Sequence, residues 1–225
     1  AGYEMLLRWG HLLAGITWIG LLYYFNFVQG EYFKEADGAA KSDAIQKLVP
    51  RALWWFRWGA VVTLLTGLAM LGLRGGGSLD IYIGALLGII MFANVWLVIW
   101  PNQRIVIASA TQVANGGQAL PEAADALATA GMASRTNALF SVPMLYFMGA
   151  STHFPHGFNF LAFLVAALII MALEYNGAYP ALKNIGALSK LPPGGKIAPY
   201  ASVKGVIHCG LGLTVVLYLI VNFLK

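Results

Sequence analysis

Residues 79–100 read LDIYIGALLGIIMFANVWLVIW, and this stretch decides the class of fold. A helix rises about 1.5 Å per residue, so about 20 apolar residues cross the roughly 30 Å hydrocarbon layer of a bilayer with every backbone N–H and C=O paired internally. Five further runs of the same character lie at Met5–Gln29, Leu53–Leu73, Ala138–Thr152, Phe158–Ala178 and Ala201–Leu224. The run from Ala138 is the shortest; Ser141 and Pro143 interrupt it, and it needs Arg135 to Leu139 to complete a span. The pattern predicts an all-α integral membrane bundle of about six transmembrane helices, forming one domain over residues 1–225.

Composition excludes a soluble class. With 59% hydrophobic and 10% charged residues and a mean hydropathy of +0.71, a water-exposed fold would carry an intolerably apolar surface. The net charge of +5 is no nucleic-acid signal, because the cations fall where a bilayer sorts them. Lys34, Lys41, Lys47, Arg51, Arg57, Arg104, Arg135, Lys183, Lys190, Lys196 and Lys204, eleven of the 14, follow or flank the first, third and fifth runs. Those loops are expected on the cytoplasmic side and both termini outside. Trp54, Trp55, Trp58 and Trp100 sit at the predicted inner boundary, where amphipathic rings anchor.

Glu31–Val49 and Pro121–Met132 mix charge with apolar residues and read as two short amphipathic helices on the cytoplasmic face. Lys190–Pro199, rich in Pro and Gly, reads as a loop. Cys209 is the only cysteine, so no intrachain disulfide forms.

Polar side chains within spans divide by depth. His11 lies about 9 Å into the first helix, with His153 and His156 at the outer end of the fourth; imidazole is a natural ligand for haem iron or copper, and equally a buried partner for a carbonyl. The inner half holds Asn94, Glu174, Asn176 and His208, with Tyr23, Tyr24 and Asn26 nearby and Asn102, Arg57 and Arg104 toward the rim. Two readings stand side by side: an anion-accepting pocket in which Glu174 and His208 exchange a proton, or an interhelical hydrogen-bond network that binds the bundle. His208 and Cys209 are adjacent, hence about 100° apart on a helix, and cannot chelate one metal. Gly84 and Gly88, with Gly205, Gly210 and Gly212, offer small faces for close helix approach.

The segments HLLAGITWIGLLYYFNFVQ (11–29), RALWWFRWG (51–59) with Thr66-Gly67, and NVWLVIWPNQ (94–103) resemble the membrane domain of the bacterial urate hydroxylase family, the urate oxidase N-terminal domain, through most of the chain. The resemblance implies an oxidoreductase of the bacterial inner membrane that hydroxylates urate and passes electrons to cytochrome c. No Cys-x-x-Cys-His occurs here, so the acceptor is expected to be a separate cytochrome. His11, Trp18 and Gly20 are similar to the first helix of the membrane protoporphyrinogen oxidase family, which carries haem b.

Together these expectations place a planar anionic purine against Asn94, Asn102, Glu174 and His208, with Arg57 and Arg104 supplying charge and Glu174 or His208 the base. Haem b on His11, with His153 or His156, carries the electrons out. The rival reading is a non-catalytic accessory or scaffold subunit of a larger respiratory or oxygenase complex. A solute transporter is disfavoured, since no paired charges or repeated halves suggest alternating access.

Overall fold

The first apolar run forms helix α1 (Gly2–Tyr23), which passes through a π turn (Tyr24–Gln29) into α2 (Gly30–Glu35). After α3 (Gly38–Lys47) and α4 (Val49–Arg74), the diagnostic stretch forms α5 (Leu79–Ala93) and a second π turn (Asn94–Ile99) that leads into α6 (Trp100–Ala114). Helices α7 (Ala123–His153), α8 (Phe160–Leu182) and α9 (Val203–Phe223) follow among the described residues. This computed structural model describes residues 2–183, 194 and 201–224; the predicted loop Lys190–Pro199 lies outside them except for Gly194. All regular structure among the described residues is helical.

Among the described residues, five continuous helical stretches are long and apolar enough to cross a membrane: Gly2–Glu35, Val49–Arg74, Leu79–Ala114, Phe160–Leu182 and Val203–Phe223. The protein is therefore a multi-pass helical bundle of five to six spans. The sixth long helix, α7, carries Asp125, Arg135 and Asn137 and falls short on composition. Its position explains this: it packs against α1, α5, α6, α8 and α9, so protein rather than lipid surrounds much of it. Ala130, Ala133, Asn137, Phe140, Ser141 and Phe147 on α7 are fully buried.

Here the structure departs from two sequence expectations. Pro121–Met132 is helical from Ala123, but as the first turns of α7 and not as a separate surface helix, because Ala126, Ala130 and Ala133 turn into the bundle. The helix from Leu79 does not stop at Trp100; it runs 36 residues, about 54 Å, well beyond the hydrocarbon layer. Pro101 stands in the first turn of α6, directly after the second π turn. Proline lacks an N–H and its ring crowds the carbonyl one turn back, and the wider π turn absorbs both defects.

Side-chain caps open four helices: Asp37 accepts from the Ala40 N–H, Ser78 from Ile81, Asn159 from Ala162 and Ser202 from Gly205. The bundle has two ends. At the upper end, where α1 begins, Glu4 pairs with Arg8 at 2.8 Å and with Arg74 of α4 at 2.5 Å. At the lower end the α2–α3 hook turns the chain back into α4.

Lipid gives helices no hydrophobic reason to associate, so backbone proximity matters. A Cβ on Gly59 of α4 would meet the Trp18 nitrogen of α1 at 3.2 Å, and one on Gly84 of α5 the Met148 nitrogen of α7 at 3.3 Å. Gly210 of α9 lies over the Leu139 carbonyl, 3.0 Å from where its Cβ would stand. That carbonyl is the one Pro143, within α7, leaves without an amide donor, so α9 covers a defect in α7. Gly210→Ala, also 2.8 Å from a Val142 methyl, is expected to cost about 1–3 kcal/mol. Gly212→Ala has nothing within 4 Å and should be neutral within about 0.5 kcal/mol. Denaturant unfolding in detergent micelles checks the pair; equal behaviour would contradict the α7–α9 packing.

Candidate functional site

Three of the inner polar residues, Asn94, Tyr23 and Asn26, bond to α7, and Glu174 joins them through Asn94. Asn94, at the start of the second π turn and 3% exposed, donates from Nδ2 to Asn137 Oδ1 and to Glu174 Oε2, each at 2.9 Å. Asn137 Nδ2 donates in turn to the Met91 carbonyl at 2.9 Å. The Asn137 side chain ties α7 to the last turn of α5, just before the second π turn. On the other flank of α7, the Tyr23 hydroxyl meets Ser141 Oγ at 2.9 Å and Asn26 Nδ2 donates to Ser134 Oγ at 2.8 Å. Six elements are thereby joined: α1, the first π turn, α5, α7, the second π turn and α8.

His208 is not part of this cluster. It is exposed on α9, with Nδ1 2.7 Å from the Lys204 carbonyl of its own helix. Asn102 likewise donates to its own helix, at the Val98 carbonyl. Arg57 lies over the Trp100 ring, its guanidinium carbon 3.4 Å from the centroid, with Trp96 at 5.3 Å and Nε donating to the Leu53 carbonyl. Arg104 is exposed one turn beyond Trp100. The structure thus joins Asn94 to Glu174, sets Arg57 on an aromatic ledge, and shows no bond from either group to His208.

The imidazoles of the upper half are divided among separate tasks. His11 Nδ1 sits 2.9 Å from the Thr63 carbonyl and 3.1 Å from Thr66 Oγ1, with Gly67 against the ring, inside the α1–α4 seam. His153 is exposed at the end of α7. His156 turns toward α5 and α9: Asp80, 1% exposed, accepts from the His156 backbone N–H at 2.7 Å and faces Nδ1 at 3.1 Å, while Nε2 faces Asn222 Oδ1 at 3.2 Å. The Leu79 N–H returns a bond to the His156 carbonyl at 3.0 Å. These donors do not fit a haem. Both nitrogens of His156 are engaged, and His11 Nδ1 is held by Thr63 and Thr66 inside the α1–α4 seam. Among the described residues no three His, Cys, Asp or Glu side chains converge as a metal site. The expectation of haem b on His11, His153 and His156 is corrected accordingly, and with it the use of Trp18, which is a core side chain at 1% exposure.

Residues 76–187 match the family model described as urate oxidase N-terminal. No curated protein and no solved structure matches the chain. The matched stretch covers α5 to α8, just under half of the chain, and contains Asp80, Asn94, Asn137, His156 and Glu174. It leaves out α1, α4 and α9.

This corrects the resemblance drawn through most of the chain. Of its three segments, only 94–103 lies within the match; 11–29 and 51–59 with Thr66-Gly67 lie outside it. All regular structure among the described residues is helical, with nothing of the β-rich T-fold typical of urate oxidase. The expectation of a urate-oxidising, haem-linked oxidoreductase is not upheld either: the residues assigned to its electron route are held apart in different helix seams.

Asn137 and Asp80 were not singled out from the sequence. Asn137 immediately precedes the run drawn from Ala138, and Asp80 follows the Ser78 cap, where an acidic residue is ordinary. An amide or carboxylate so close to an apolar run was the available signal.

Proposed function

We propose that the chain is a non-catalytic membrane subunit that scaffolds a larger membrane complex, of the respiratory or oxygenase kind. One observation carries the reading. The buried polar side chains of the lower half pair with one another across helices, which is how such groups bind a bundle together. Two open clefts lie away from that network: about 480 Å³ between the first π turn and α3, and about 360 Å³ beside Pro50, Arg51, Trp54 and Trp55. The distribution of basic residues supports a cytoplasmic lower end with both termini on the other side; on the same proposal the membrane is a bacterial inner membrane and residues 1–225 form one domain. In this reading Asn94 and Glu174 are fastening groups, and Arg57, Asn102 and Arg104 belong to the interfacial rim.

Native membranes solubilised in mild detergent test the proposal. The tagged chain is expected to migrate in an assembly of fixed stoichiometry, and Glu174→Gln, which keeps an acceptor for Asn94, is expected to leave that assembly intact. Migration as an isolated chain from native membranes would overturn it.

A further inference from the structure

We infer that Arg57 and Arg104, with the Trp96 and Trp100 rings, form a binding site for the phosphate of an anionic phospholipid at the lower bilayer interface. The observations begin with an imbalance of charge. All nine acidic side chains of the chain belong to described residues, and those in ion pairs engage Arg8, Lys34, Lys47, Arg74 and His156. Neither Arg57 nor Arg104 has a carboxylate partner.

Arg57 is half-buried in α4, eight residues from its start and so about 12 Å along the helix. A cation at such a position is costly unless it is paired or reaches the interface. Stacking at 3.4 Å over Trp100 and the Nε bond to Leu53 satisfy one face and one donor. Both terminal nitrogens remain without a hydrogen-bond partner among the described residues, held in a fixed plane that suits a phosphate oxygen pair. Arg104 follows Trp100 by four residues on α6, which places it on the same helix face. Around them Trp54, Trp55 and Trp58 are exposed, and Trp58 packs edge-on against Trp96 at 5.8 Å. Exposed tryptophans mark the headgroup level, so the two unpaired guanidiniums lie at the depth where lipid phosphates stand. The inference holds whether or not the chain is a scaffold.

The test is phospholipid exchange in nanodiscs. Purified protein in phosphatidylcholine discs is titrated with phosphatidylglycerol, and retained lipid is counted by native mass spectrometry. The parent is expected to retain phosphatidylglycerol over phosphatidylcholine. Arg104→Gln, an exposed change that spares the fold, is expected to weaken retention about five-fold, the factor equivalent to about 1 kcal/mol per basic residue at an anionic surface. Arg57→Gln should lose at least as much, and Arg57→Lys should also lose preference, because an ammonium cannot reproduce the stacked fork. Equal retention of the two lipids, unchanged retention in both glutamine variants, or full displacement by millimolar inorganic phosphate would each overturn the assignment.

Discussion

Replacing Asn94 by aspartate is expected to destabilise the bundle by about 3 kcal/mol, the scale of placing a charge within a membrane helix. The amide NH2 of Asn94 spends one hydrogen on Asn137 Oδ1 and the other on Glu174 Oε2. A carboxylate in its place faces two oxygens with nothing to donate, and one of those oxygens belongs to another carboxyl group. Asn94→Ala removes the donor without adding charge and should cost about 1–3 kcal/mol. Combining Asn94→Asp with Glu174→Gln should recover part of the loss, because glutamine supplies the missing donor. Unfolding by SDS in mixed micelles measures all three. If the aspartate variant proved as stable as the parent, Asn94 would not be facing Glu174 in the bundle interior.

Asp80→Ala should cost about as much at the opposite end. Its carboxylate holds the turn between α7 and α8 through the His156 backbone N–H and ring, and the Leu79 N–H closes the same junction from the α5 side. Hydrogen bonds to a charged group contribute roughly 1.5–3 kcal/mol each, so losing both acceptor contacts gives an expected loss of about 3 kcal/mol. His156→Ala should cost less, about 1–2 kcal/mol, since the backbone bond to Asp80 survives. Limited proteolysis provides a local readout: residues 154–159 should become cleavable in Asp80→Ala before the rest of the chain does. A turn equally resistant in both proteins would mean that Asp80 does not tether it.

The spans were legible in the sequence wherever helices face lipid. Leu12, Leu13 and Ile16 of α1, Leu65 and Leu68 of α4, and Leu164 and Leu168 of α8 remain exposed, and their continuous apolar character is what a hydropathy reading detects. Helix α7 was legible only in part, because a helix enclosed by protein can carry Asn137, Ser141 and Thr136 and keep small alanines at its contacts. The π turns were not legible: nothing in YFNFVQ or NVWLVI distinguishes a five-residue from a four-residue hydrogen-bond step. Of the candidate site, Asn94 and Glu174 could be found because polarity inside an apolar run is conspicuous. Their direct bond, and the second bond from Asn94 to Asn137, depend on the rotational setting of three helices, which one-dimensional spacing does not contain. The histidines misled for the same reason. His11 and His156 share an end of the bundle but belong to different seams, one between α1 and α4 and the other among α5, α9 and the turn before α8.

The central position of α7 bears on how the chain reaches its membrane. Ribosomes deliver α7 before α8 and α9 exist, yet α9 supplies the cover over the Leu139 carbonyl and α8 brings Glu174 to Asn94. Left alone in hydrocarbon, α7 would present Asn137, Arg135 and a proline-freed carbonyl to acyl chains. Its stable entry into the bilayer is therefore expected to wait for the helices synthesised after it.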